Sequence, residues 1–117
     1  MARINDDSVD LFKDQLGRLG ESHFLILYWC AQGEDKGIKY NITNCFDDLK
    51  HVGITRTKQT AVSMVEALWS LCFIDIREER NRKNIYITKH GARALQQLVV
   101  LGGFSVKSSS FLEGNQA

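Results

Sequence analysis

The 117-residue sequence contains no proline, although average usage would supply about six in a chain of this length. Because proline is the strongest helix breaker, its absence favours helices throughout the chain. The three cysteines, Cys30, Cys45 and Cys72, are odd in number and far apart, which argues against a disulfide framework and against a zinc site with paired ligands. No apolar run approaches the roughly 18 residues of a membrane span, and the first residues lack the apolar segment of a signal peptide. We therefore expect one globular, cytoplasmic domain with reduced thiols.

The charge is distributed unevenly along the chain. The net charge is only +1, yet residues 56–93 hold eight Lys or Arg and four Asp or Glu, whereas the remainder holds seven basic and ten acidic residues. A chain with one positive and one negative region is expected to bind a polyanion, such as nucleic acid, through its positive side.

The stretch from Gly53 to Trp69 has the clearest periodicity in the sequence. Its apolar residues Ala61, Met64, Val65 and Leu68 follow the spacing of one buried helical stripe. The opposite face is polar and mildly basic, and Thr57 is available as the N-cap. This pattern predicts an amphipathic helix over 57–71.

The remaining elements follow from local signals. Ser8 is expected to cap a helix over 8–19, and Ser22 to cap a buried helix over 23–32 that Gly33 ends. A loop over 33–40 contains Ile38 and Tyr40 as a short strand, and a helix beginning near 41 or 43 buries Ile42, Phe46 and Leu49 and ends at Gly53. Strands at 73–78 and 84–88, linked by 79–83, form a hairpin with a basic tip. Thr88 caps a last helix, which Gly102 and Gly103 stop.

The order of these elements is that of a winged helix-turn-helix. Residues 54–74 resemble the recognition helix and its exit in MarR-type regulators, although Cys72 stands where that family commonly has a glycine. Residues 84–95 are similar to the strand that leads into that family's Thr-x-x-Gly-x-x-Ala-Leu helix start. The resemblance implies an α+β, mostly helical fold with a two-stranded β-hairpin wing and flanking N- and C-terminal helices. The expected divisions are an N-terminal dimerisation helix at 1–21, a DNA-binding domain at 22–101 and a tail at 102–117.

The candidate function is sequence-specific binding of double-stranded DNA by a homodimeric transcriptional regulator. The resemblance implies that two recognition helices enter successive major grooves of a pseudo-palindromic site. Gln59 can read adenine, Lys58 can reach guanine or phosphate, and Val62 can touch a thymine methyl group, while the tip cations contact phosphates or the minor groove. The candidate DNA-binding residues are Arg56, Thr57, Lys58, Gln59, Thr60, Val62, Ser63, Arg80, Arg82 and Lys83.

Two apolar stripes exceed what a small winged-helix core can cover, which favours a dimer interface. The alternative is that the first helix folds back on its own domain. The candidate interface residues are Val9, Phe12, Leu16, Leu19, Leu95, Leu98 and Val99, with Leu101 at the end of the second stripe.

Other chemistry has weaker support in the sequence. The cysteines could form a redox or iron–sulfur sensor, but buried small apolar residues are the better interpretation, and His23, His51 and His90 lack metal-site spacing. No catalytic constellation or cofactor motif is recognisable, so we expect no enzyme and no cofactor. Two alternatives stay open. One is a winged-helix protein-interaction or assembly module, which the near-neutral charge and Trp69 would suit, and the other is a plasmid or phage replication or partition factor.

Overall fold

The computed structural model describes residues 12–101 and 103–114, and Val9 and Ser8 lie outside them. Residues 12–17 are helical, and the elements that follow make an α+β, mostly helical structure with one two-stranded antiparallel hairpin. In chain order these elements are α1 (Glu21–Lys36), α2 (Ile42–His51), α3 (Lys58–Ser70), β1 (Ile74–Glu79), β2 (Arg82–Ile87), α4 (Lys89–Leu101) and α5 (Ser110–Gly114).

Helix α1 is the centre of the core, as its apolar run predicts, but both of its ends differ from the prediction. Gly20, not Ser22, is the N-cap, and its N–H donates to the Nδ1 atom of His23 across 3.1 Å. Gly33 does not end the helix but lies within it. A Cβ there would lie only 3.0 Å from the carbonyl oxygen of Ile38, which accounts for glycine at this position. The helix continues to Gly37, whose left-handed φ of 68° makes the C-cap. The predicted loop is therefore confined to the residues after Lys36.

Helix α2 begins and ends as the sequence predicts. Asn41 is its N-cap and accepts a hydrogen bond from the Asn44 N–H across 2.8 Å. Gly53, at φ 82°, closes the other end, where its N–H donates to the Lys50 carbonyl. Ile42 and Leu49 are buried, and Phe46 is half-buried against the core.

The hairpin is tighter than the predicted link of five residues. Glu79 pairs with Arg82, so the turn consists of Arg80 and Asn81 alone, at φ 52° and 66°. Positive φ at both turn residues is typical of a type I′ hairpin, whose twist matches that of the strands. Arg82 and Lys83 consequently belong to β2, and only Arg80 of the three predicted tip cations lies in the turn.

A third chain segment joins the hairpin beside β2. Asn41 forms an isolated antiparallel bridge with Asn84, and the Ile85 N–H donates to the Tyr40 carbonyl across 2.7 Å. The short strand predicted at Ile38 and Tyr40 is thus reduced to a single bridge.

Thr88 caps α4, as predicted. Its hydroxyl oxygen accepts from the Gly91 N–H across 2.9 Å, and its hydroxyl donates to the Cys72 carbonyl across 2.6 Å. Gly91 has no room for a side chain, because a Cβ would lie 1.8 Å from the Phe73 carbonyl oxygen. The Thr-x-x-Gly pattern therefore fixes the start of α4 against the exit of α3.

Most of the apolar side chains that the sequence assigns to a dimer interface are covered within one chain. Leu16, Leu19 and Leu98 are buried in the core, and Phe12 is half-buried with its ring 5.2 Å from that of His90. This arrangement is the alternative in which the first helix folds back on its own domain. Leu16, Leu19 and Leu98 are therefore not available as exposed interface residues, contrary to the prediction.

The segment after α4 is also part of the core, where the sequence suggested a tail. The ring of Phe104 stacks on that of Phe24 at 5.4 Å, the Lys107 carbonyl accepts from the Trp29 indole N–H, and Leu112 is fully buried. Among the described residues, no helix has both the length and the apolar composition needed to cross a bilayer.

Candidate nucleic-acid interface

The N-terminal end of α3 presents polar side chains to solvent. Its buried side is formed by Ala61, Val65 and Leu68, whereas Ser63 and Glu66 lie on the exposed side. Thr57 accepts from the Thr60 N–H across 3.3 Å and so fixes the first turn. The exposed residues of the predicted set at this end are Arg56, Thr57, Lys58, Gln59, Thr60 and Ser63. Val62 is half-buried against the core, so its contribution to any surface is smaller than predicted.

Lys58 connects the N-terminal ends of two successive helices. Its Nζ donates to the Thr43 Oγ1 across 3.2 Å, and both residues are exposed. The contact holds the ammonium group between the N-terminal ends of α2 and α3, next to the hairpin.

A groove lies between α3 and the hairpin, with a volume of about 320 Å³. We call it the inner groove, and its lining residues are Asn41, Ile42, Thr43, Lys58, Val62, Asn81, Arg82 and Lys83. Three of these described residues are cations and none is a carboxylate, so the lining is positively charged, although Glu78 pairs with Lys83 across the hairpin. It brings together Lys58, Arg82 and Lys83, which the sequence placed in two separate elements.

Arg80 lies on the other side of the hairpin. It lines a second depression of about 680 Å³, the outer groove, together with Lys39, Asn41, Glu79, Arg82 and Asn84. Arg82 and Asn41 line both grooves, and so they form the boundary between them. Arg56, Gln59, Thr60 and Ser63 line neither groove and extend the polar surface along α3.

Glu79 is the acidic residue of the outer groove, and neighbouring side chains hold it in place. The Asn84 amide donates to Glu79 Oε1 across 2.8 Å, and the Tyr86 hydroxyl donates to the same oxygen across 2.5 Å. These hydrogen bonds, from Asn84 first and then Tyr86, lower the pKa of Glu79 and keep it anionic. Lys39 Nζ lies 3.7 Å from the same carboxylate oxygen.

Seven lining residues of the two grooves are not among the candidates that the sequence predicts: Lys39, Asn41, Ile42, Thr43, Glu79, Asn81 and Asn84. The sequence predicts Asn41 only as a possible helix start, and it predicts the alternating Ile38 and Tyr40 only as a short strand, with no role for Lys39 between them. That alternation was the available signal, because it places Lys39 on the face opposite the buried Tyr40.

The three cysteines do not form a common site. Cys30 and Cys45 are buried, and burial is the main cause that raises the pKa of each thiol. Cys72 is exposed with φ 64°, whereas the sequence placed it in an apolar run. Over residues 12–101 and 103–114, no group of three or more His, Cys, Asp or Glu side chains could hold a metal ion.

Comparisons with known proteins give information on the fold alone. No protein-family model matches the sequence, and no curated protein matches it either. Among solved structures, the chain is similar to AF1382 from Archaeoglobus fulgidus, with a TM-score of 0.57 and 14% sequence identity. The similarity covers 72% of this chain and 87% of the archaeal one.

Proposed function

We propose that the protein is a winged helix-turn-helix that binds double-stranded DNA in a sequence-specific manner and regulates transcription. In this proposal α3 is the recognition helix in the major groove, and the β1–β2 hairpin is the wing. Exposed Gln59 and Ser63 read base edges, while Lys58, Arg82 and Lys83 bind phosphates. The protein would act in the cytoplasm, where its free cysteines stay reduced.

The inner groove is the observation that carries the proposal. A helix end and a hairpin from separate parts of the chain place Lys58, Arg82 and Lys83 around one concave surface, although the net charge of the chain is only +1. A chance excess of cations would be spread over the surface, whereas here the described lining contains no carboxylate. DNA binding gives a physical reason for collecting like charges in this way.

The proposed active form is a homodimer on a pseudo-palindromic site. Apolar side chains that stay exposed near the end of α4 support it: Val99 is 58% exposed, Val100 73% and Leu101 71%. Val99 and Leu101 continue the α4 stripe, of which Leu95 is half-buried. The interface is therefore proposed at this end of α4, not at Leu16 and Leu19. A monomer in sedimentation experiments at micromolar concentration would remove the dimer from the proposal.

Selection of bound sequences from random duplex DNA tests the function directly. The proposal predicts enrichment of a motif with two related half-sites about one helical turn apart. The genes beside occurrences of that motif separate a transcriptional regulator from a plasmid or phage replication or partition factor. A selection that enriches nothing would contradict the proposal.

Trp69 favours a second candidate function, a protein-interaction module. Its indole is 50% exposed on α3, where Trp is an unusual surface residue and a frequent interface one. A Trp69→Ala variant separates the two functions, because it should keep DNA affinity in the first and lose partner binding in the second.

A further inference from the structure

The solvent-facing side of the hairpin carries an uncompensated excess of positive charge. The outer groove holds three cations, Lys39, Arg80 and Arg82, against the single carboxylate of Glu79. That carboxylate is already hydrogen bonded by Asn84 and Tyr86, and its ion pair with Lys39 is long, at 3.7 Å. The Lys39 side chain remains 66% exposed, so its ammonium group is solvated and free to meet another anion.

The pairing of the strands explains why these residues share one face. Asn41 bridges Asn84 and Glu79 pairs with Arg82, and residues that pair across antiparallel strands point to the same side of a sheet. Lys39, two residues before Asn41, lies on that side as well. The opposite side of the hairpin carries Ile76 and Ile85, which face the core.

Arg80 has a backbone conformation that arginine rarely adopts. Its φ of 52° lies in the left-handed region, and the first residue of a type I′ turn is usually Asn, Asp or Gly. A long cationic side chain in a strained turn is a reason to look for a function of that side chain.

From these observations we infer that the outer groove binds a phosphate group of duplex DNA, on the strand opposite to the one that the inner groove contacts. The inference rests on the proposed function. The minor groove of B-DNA is about 6 Å wide and has a phosphate backbone on each side. A hairpin that enters it therefore meets phosphates on both flanks, and this hairpin has cations on both, with Arg82 shared between them. Lys39 and Arg80 are the residues that bind the second strand.

Affinity for the selected duplex, measured over a series of salt concentrations, tests the inference. Lys39→Gln and Arg80→Gln should each reduce the slope of log K against log salt by about 0.9 and weaken binding about threefold at moderate salt. Arg77→Gln is the matched control, because Arg77 lies on the same strand face but lines neither groove and contacts Asp75 and the Tyr86 ring. It should leave slope and affinity unchanged. Glu79→Gln keeps an acceptor for Asn84 and Tyr86 and removes the repulsion of phosphate, so it should strengthen binding.

The outcomes separate this inference from the proposed function. If Lys39→Gln and Arg80→Gln behave like Arg77→Gln while Lys58→Gln and Lys83→Gln weaken binding, the inference is wrong and the proposed function stands. If the wild type binds no duplex, both are wrong. A chemical-shift titration of the wild type with inorganic phosphate adds a further measurement. If phosphate shifts the signals of Lys39 and Arg80 but their substitution leaves duplex affinity unchanged, the groove binds free phosphate and the assignment to DNA is wrong. Thermal melting of each variant verifies that it is folded.

Discussion

Gly91 lies so close to Phe73 that a Cβ on the glycine would be 1.8 Å from the phenylalanine carbonyl oxygen. The contact joins the first turn of α4 to the residue that leads from α3 into the hairpin. It is reinforced by Thr88, which bonds both the Gly91 N–H and the Cys72 carbonyl. The orientation of the hairpin relative to α3, and with it the inner groove, depends on this junction.

Gly91→Ala should therefore destabilise the protein by at least about 2 kcal/mol, because backbone must move to admit the methyl group. Gly17→Ala is the control, since a Cβ at Gly17 meets nothing within 4 Å and this residue is helical. The control should be neutral or more stable by up to about 1 kcal/mol. Urea denaturation measures both, and equal stability of the two variants would contradict the account of the junction.

Cys72 is the second residue of this junction that can be tested. It is exposed and adopts φ 64°, a conformation that costs a residue with a side chain roughly 1 kcal/mol. Cys72→Gly should raise the free energy of unfolding by about 0.5 kcal/mol or more, and its carbonyl remains in place for Thr88. Gly53→Ala, at φ 82°, should lower stability by about 1 kcal/mol. A destabilised Cys72→Gly variant would mean that the thiol has a contact that outweighs the backbone cost.

Asp48 anchors the C-terminal segment to α2. It is 1% exposed, and its carboxylate accepts from the Tyr40 hydroxyl across 2.6 Å, from the Phe111 N–H across 3.1 Å and from the Ser109 hydroxyl. Asp48→Ala leaves several buried donors without an acceptor and should cost about 3 kcal/mol or more. Ser109→Ala should cost about 1 to 2 kcal/mol, whereas Ala at the exposed neighbour Ser110 should cost little.

Limited proteolysis provides a second measurement on Asp48. Because the C-terminal segment packs through this carboxylate, Asp48→Ala should speed cleavage after Lys107 more than cleavage elsewhere. Uniform cleavage rates across the chain would show that the segment is held by other contacts.

His23 gives the protein a specific pH dependence. Burial lowers the pKa of His23, and its Nδ1 accepts the Gly20 N–H, so the folded state favours the neutral ring. The unfolded state therefore binds more protons than the folded state as the pH falls. The contribution of His23 to stability is complete above the unfolded-state pKa of about 6.5 and is lost as the pH falls below it. Stability measured from pH 7.5 to 5 should decrease less in His23→Gln than in the wild type. His51→Gln, at an exposed position, should follow the wild type. Identical profiles for the wild type and His23→Gln would contradict this role.

Elements with strong local signals were predictable from the sequence. The 3.6-residue period and Thr57 located α3, and Thr88 located the start of α4, because capping and periodicity depend on residues a few positions apart. Alternation located both strands, but the two-residue turn was missed because Arg80 and Asn81 lack the usual glycine.

Features that depend on long-range packing were not predictable. The sequence predicts a helix end at Gly33 because it does not reveal that Leu112, from the far end of the chain, packs close to this glycine. The sequence predicts a tail for the C-terminal segment because its anchor, Asp48, lies 61 residues before Ser109. The candidate site was predicted in part: the cations of α3 and β2 were identified, but Lys39 and Thr43 join them only through the fold.

The salt dependence of DNA affinity, measured with duplex from the selection experiment, tests the central claim most directly. Lys58→Gln and Lys83→Gln should each reduce the slope of log K against log salt by about 0.9, because each removes one phosphate contact in the inner groove. Lys89→Gln is the control, since this exposed lysine at the start of α4 lines neither groove. The account predicts steeply salt-dependent binding by the wild type, reduced slopes for the two groove variants and an unchanged slope for the control. Absence of duplex binding, or the same slope in all four proteins, would contradict it.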